Sequence, residues 1–149
     1  MAVDVVTEIT IARPIDVVAR YAADPSNAPQ WYANIHSVAW KSSPTVQVGS
    51  KVAFVARFLG RQLAYTYELV DVVDLERVVM RTAEGPFVME TTYTWSQSGS
   101  DATRMTLRNR GEPAGYFRWV APVLARAMRR ANRKDLRRLK ARLEADVLD

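Results

Sequence analysis

"YFRWVAPVLARAMRRANRKDLRRLKARLEADV", residues 116–147, carries apolar side chains at helical spacing: Phe117, Val120, Leu124, Met128, Ala131, Leu136, Leu139 and Leu143. Arg126, Arg129, Arg130, Arg133, Arg137 and Lys140 collect on the opposite side. That division predicts one long amphipathic helix, with one face on the body of the protein and one in water. Pro122 sits near its start and is expected to kink or delay it there. A helix of this length needs a broad apolar partner, and the chain upstream supplies one.

Residues 3–11 alternate as Val3, Val5, Thr7, Ile9 and Ile11 against Asp4, Glu8 and Thr10, a period of two that predicts a half-buried strand. Pro14 and Asp16 open a short helix, "PIDVVARYAA". Asp24 before Pro25 reads as a second helix cap, and Pro29 is expected to cut that helix short ahead of Trp31 and Tyr32. The period then returns to two, with strands expected at 35–41, 50–59, 62–73, 76–83, 87–96 and 102–110. Turn-rich connections such as "LGRQ", "VDLE" and "SQSGSD" join them, so consecutive strands form hairpins and an antiparallel meander. The expectation is an α+β fold: seven curved antiparallel strands wrapped on the long terminal helix, with two short helices after the first strand. The 149 residues make one domain.

Parity assigns the face that meets the helix. It carries Val52, Phe54, Ala56 and Phe58; Leu63, Tyr65, Tyr67 and Leu69; Val78, Met80 and Thr82; Phe87, Met89, Thr91, Tyr93 and Trp95; and Thr103, Met105, Leu107 and Asn109. The intervening positions hold charges such as Lys51, Arg57, Glu68, Arg77, Arg81, Glu90, Arg104 and Arg108, which pins the register. The inward set is aromatic and thioether-rich, with a few hydroxyls and amides. Apolar walls with scattered polar points suit a small-molecule cavity; the alternative is that the tyrosines reach the rim and bond water or backbone.

Charge and composition exclude several classes. Residues 116–149 hold 10 of the 21 Lys and Arg against 4 acids, a net of +6, while residues 1–115 hold 11 bases and 12 acids, a net of −1. The basic stripe lacks interleaved aromatics for base stacking and an apolar strip for lipid insertion, so neither nucleic acid nor membrane insertion is expected. There is no cysteine and one histidine, which leaves no thiolate chemistry and no zinc ligand set; no metal and no cofactor are expected. The acids in "MAVDVVTEITIARP" argue against a signal peptide, and a soluble cytoplasmic protein is expected. No Gly-rich phosphate loop, serine elbow or HExxH is present.

The stretches "ITIARPIDVVARYAADPSNAPQWYANIHSVAW", "VGSKVAF", "GPFVMETTYTW", "GSDATRMTLRNRGEP" and "RKDLRRLKARLE" together resemble the polyketide cyclase/dehydratase branch of the SRPBCC superfamily. That superfamily also includes the START lipid-transfer domains and the birch-pollen allergen. The resemblance spans essentially the whole chain and rests on the order of elements. It implies a helix-grip fold around a hydrophobic tunnel that binds sterols, lipids, polyketides or other apolar molecules, with catalysis in some members only. It carries the pocket position of the second short helix onto Trp31 and Tyr32, and the tunnel lining onto the inward face.

The expected function is therefore binding of a small hydrophobic ligand between sheet and helix by a monomer or homodimer; the alternative is a cyclase/dehydratase-type enzyme using the same cavity. The expected ligand-binding residues are Trp31, Tyr32, Trp40, Phe54, Phe58, Tyr65, Tyr67, Met80, Thr82, Phe87, Met89, Thr91, Tyr93, Met105, Leu107, Asn109, Phe117, Val120, Leu124 and Met128. Candidates for proton transfer or polarisation are His36, in phase with Val38 and Trp40, and Asn109. Asp135 falls on the apolar side of the helix, where a buried acid is expected to pair with Arg138 or Arg142.

Overall fold

In the computed structural model, residues 3–58, 60–84, 88–112, 119 and 121–145 are described, Phe58 by its backbone alone. Strand β1 (Val3–Ile11) leads to helix α1 (Ile15–Ala23), a 3-10 turn (Pro25–Asn27) and the single-turn helix α2 (Ala28–Trp31). Strands β2 (Ile35–Trp40), β3 (Lys51–Phe58), β4 (Arg61–Val73), β5 (Arg77–Glu84), β6 (Val88–Gln97) and β7 (Thr103–Glu112) follow, then helix α3 (Ala121–Ala145). The seven strands form one antiparallel sheet in the order β1-β7-β6-β5-β4-β3-β2. Each hairpin neighbour in sequence is a neighbour in space, and only β1 joins from afar. This is the helix-grip architecture that the alternation and the long stripe predict.

Two local details differ from expectation. Pro29 does not end the second short helix. It occupies the first turn of α2, where its missing N–H has no partner to lose, after Asp24 has capped the 3-10 turn by accepting from Ser26 N–H at 2.9 Å. The expected helix start at Tyr116 lies outside the described residues; the described helix begins at Ala121, with Pro122 in its first turn.

The convex face is a lattice of cross-strand charges. Arg108 of β7 reaches Asp4 of β1 at 2.6 Å, Arg81 of β5 reaches Glu90 of β6 at 2.7 Å, and Arg104 pairs with Glu8. Slipping any of these strands by one residue would bury these charges, so the alternation enforces its own register. The opposite, concave face carries the core.

Helix α3 is fixed to the sheet at both ends. Toward its C-terminal end Leu136, Leu139 and Leu143 join a cluster with Ile11, Trp31, Met105 and Leu107. There Ala12 N–H donates to Glu144 at 2.8 Å, and Lys140 bonds both the Thr10 carbonyl and Glu144. Toward its N-terminal end Ala121 and Leu124 join a separate cluster with Val3, Val5, Leu63, Tyr65 and Met89. Between these ends Met128 is partly buried against the second cluster, and Tyr67 packs against both clusters. Beneath the middle of the helix the two cores leave a gap.

Candidate functional site

The gap is a cavity of about 170 Å³, walled by the middle of α3, the α1–α2 turn and strands β3 to β7. Met128, Ala131, Asn132 and Asp135 face it from the helix, one turn after another between the two anchored ends. Phe54, Tyr65, Tyr67, Met80, Met89, Thr91, Tyr93 and Asn109 face it from the sheet. Ala22, Pro25, Ala28, Tyr32 and Ile35 close it at the α1–α2 end. The wall is mostly carbon and sulfur, and its polar atoms are few and local.

The α1–α2 turn owes its position to aromatic packing. Trp31, at the end of α2, is fully buried and lies 4.1 Å from the Tyr32 ring and 5.9 Å from the Tyr93 ring, centroid to centroid. Tyr32 and Tyr93 then meet hydroxyl to hydroxyl at 2.6 Å, joining turn and sheet across the cavity wall. Burial holds the Tyr32 and Tyr93 phenols far above the usual tyrosine range, and pushes Tyr67 up to about 12 although a hydrogen bond with Thr91 opposes it. All three are neutral hydroxyls at physiological pH and cannot serve as bases there. Thr91 Oγ1 donates to Asn109 Oδ1 at 2.7 Å, so that amide oxygen is already engaged.

Asp135 departs from its expected role. It is buried, but no arginine bridges it among the described ion pairs; instead its Oδ1 accepts from the Ala33 backbone N–H at 3.1 Å, just past Tyr32. Desolvation pushes its carboxyl up to about 6, with the Ala33 hydrogen bond and the charges of Arg138 and Lys134 pulling the other way. One turn earlier stands Asn132, also buried and facing the cavity, with its Nδ2 unpartnered. Sequence reasoning passes over Asn132. The signal is there: it lies four residues after Met128 and four before Leu136, in the middle of the apolar stripe.

Eleven of the expected ligand-binding residues face the cavity: Tyr32, Phe54, Tyr65, Tyr67, Met80, Met89, Thr91, Tyr93, Asn109, Leu124 and Met128. Trp31 stands behind Tyr32 as its support. Met105 and Leu107 share the inward face but are fully buried in the cluster that also holds Leu136 and Leu139. Trp40 sits at the far end of β2, its indole N–H donating to Ser26 Oγ at 3.0 Å, and Thr82 spends its hydroxyl accepting from Met89 N–H at 3.0 Å. Phe87, Phe117, Val120 and the Phe58 side chain lie outside the described residues. His36 is exposed and does not face the cavity. It lies at a register break between Ile35 and Ser37, and this bulge turns Ile35 inward in its place. No cluster of three metal-binding side chains occurs among the described residues, and no described helix is long and apolar enough to cross a membrane.

Gly111 sets the shape of one wall. A methyl group added at its α-carbon would stand 2.3 Å from Met89 Sδ and 3.1 Å from the Val88 carbonyl oxygen. Gly111→Ala should therefore drive the Met89 thioether into the cavity, weakening binding of any guest while the sheet survives. Calorimetric titration beside a melting curve checks this: an unchanged affinity would mean that Met89 yields outward instead.

The same architecture recurs in solved structures. TTHA0849 from Thermus thermophilus superposes with a TM-score of 0.81 at 21% identity, over 96% of this chain and 98% of its own. A START superfamily protein from Mycobacterium smegmatis gives 0.80 at 13% identity, over 96% and 98%. The Zhui aromatase/cyclase from Streptomyces sp. R1128 gives 0.81 at 17% identity, over 99% and 96%. No curated protein matches in sequence. The family model described as polyketide cyclase / dehydrase and lipid transport matches residues 2–144, and on that span the chain belongs to this family.

Proposed function

We propose that this chain is a cytoplasmic binding protein that holds a small hydrophobic, ring-containing molecule in the cavity under the middle of α3. The observation that carries this reading is an apolar space of about 170 Å³ left between the two core clusters under the middle of α3. An apolar protein cavity of roughly 150 Å³ accepts a benzene ring, so this one suits a ring-sized guest or the ring end of a longer one. Aromatic walls add area burial and edge or stacking contacts for such a guest.

A cyclase or dehydratase role is the second reading, favoured by the family and by Asp135, a cavity-facing carboxyl whose raised pKa lets it exchange a proton near neutrality. The other candidates for that chemistry support it less. His36 lies outside, the Asn109 oxygen is engaged by Thr91, and the tyrosines stay protonated.

One experiment addresses both. Native mass spectrometry of protein taken directly from cells should show a bound apolar compound. Ala131→Trp, which places an indole in the cavity, should lose it. Recovery of the same compound unchanged after prolonged incubation supports a binder, and its conversion supports the enzyme. Equal occupancy in wild type and Ala131→Trp would overturn the cavity as the site.

A further inference from the structure

Polar groups that the cavity leaves unmatched define what the guest must carry. Asn132 Nδ2 is buried without a partner, and the residue is only 5% exposed. Leaving a buried amide donor unmet destabilises a protein, so the site favours whatever supplies an acceptor there. Three residues on, and so on the same face of α3, Asp135 commits only Oδ1 to Ala33 N–H; its Oδ2 makes no hydrogen bond among the described residues. An unpartnered donor and an unpartnered acceptor thus lie one turn apart on α3, on two residues that line the cavity. Tyr32 stands close by, next to the Ala33 that bonds Asp135, and its hydroxyl meets that of Tyr93 in one hydrogen bond, which spends the proton of only one of the two.

A donor beside an acceptor matches a hydroxyl group, which accepts one hydrogen bond and gives one. A ketone would engage Asn132 alone. A carboxylate would face Asp135 with no basic side chain among the described lining residues to balance it, and like charges in a poorly solvated space repel strongly. We propose that the Asn132–Asp135 end of the cavity is a hydroxyl-recognition site, which selects neutral alcohols or phenols on an apolar ring and rejects carboxylates. This rests on the reading that the cavity takes an apolar guest, and adds to it which polar group that guest bears and how it is oriented: hydroxyl toward α3, hydrocarbon toward the Phe54, Met80 and Met89 wall.

Three probes of one size test it: naphthalene, 1-naphthol and 1-naphthoate, titrated calorimetrically at pH 7.5. The expected result is that 1-naphthol binds at least tenfold tighter than naphthalene and that 1-naphthoate binds weakest. In Asn132→Leu, an apolar replacement of similar size, the naphthol-to-naphthalene ratio should fall toward one. Asn132→Ser, which keeps a donor, should retain part of the preference and covers the case in which the leucine variant fails to fold. Equal affinities for naphthol and naphthalene in the wild type would overturn hydroxyl recognition and leave the apolar cavity standing. Tightest binding by naphthoate, or a tenfold preference that survives in Asn132→Leu, would also overturn it. If none of the three binds, the cavity reading falls and takes this one with it.

Discussion

Trp31→Ala should cost about 3–5 kcal/mol, the largest loss expected from any single truncation in this protein. The ring is fully buried, touches Tyr32 and Tyr93, and belongs to the cluster that includes Leu136 and Leu139. Its position magnifies the effect. Helix α2 has four residues, far too few to persist in water without tertiary contacts, so the turn is held by what Trp31 packs against. Removing the ring leaves a cavity beside an existing one, and Tyr32 loses the surface that aims its hydroxyl at Tyr93. Against a total stability of roughly 5–15 kcal/mol, such a loss brings the domain near unfolding. Trp31→Phe should cost much less, because it keeps most of the ring and removes an indole N–H that is buried without a partner. Urea denaturation of the three proteins decides the matter. A midpoint for Trp31→Ala within about 1 kcal/mol of wild type, at unchanged slope, would show that the turn is anchored elsewhere.

What the sequence reveals of this molecule depends on whether the information is periodic. Strand β6 alternates Met89, Thr91, Tyr93 and Trp95 against Glu90, Thr92 and Thr94, and the structure buries the first set and turns the second outward or leaves it partly exposed. Helix α3 is equally legible, since its stripe continues unbroken from Leu124 to Leu143. Parity fails at a bulge, because one extra residue re-aims its neighbours and leaves no mark in composition. It assigns His36 inward with Val38 and Trp40, but the break at Ile35–Ser37 leaves this side chain in solvent. Other breaks, between Thr66 and Tyr67 and between Leu69 and Asp71, do no such damage, since Tyr67 and Leu69 keep their inward places. The partner of Asp135 is illegible for another reason. An arginine on the same helix is a local guess, whereas Ala33 N–H arrives from 102 residues away and carries no side-chain signature. Pattern locates the wall of the cavity. The polar end that discriminates among guests is made by long-range placement.

That placement leads to a pH dependence of opposite sign to the one usual for acids. Most carboxylates in folded proteins are favoured by partners, so stability is lost as the pH falls. Asp135 is held up to about 6 by desolvation, so the folded protein binds its proton more tightly than the unfolded chain does. Its contribution is therefore most favourable below the unfolded value near 4 and is lost as the pH rises through about 6, after which it is level. That difference corresponds to at most about 3 kcal/mol. The groups facing it offset this only in part: Tyr32 and Tyr93 are neutral, and Arg138 and Lys134 are exposed to solvent. Asp135→Asn keeps an oxygen for Ala33 N–H and removes the charge. The variant should be more stable than wild type at pH 8, by up to that amount, with the difference closing by pH 4. Urea midpoints measured for both proteins from pH 4 to 8 test this; parallel curves would mean that the carboxylate is fully compensated where it sits. A charge that weakens the fold at working pH is the kind of residue that selection for stability alone would remove. Its presence beside Asn132, facing an otherwise apolar cavity, fits a group kept for the guest and not for the fold.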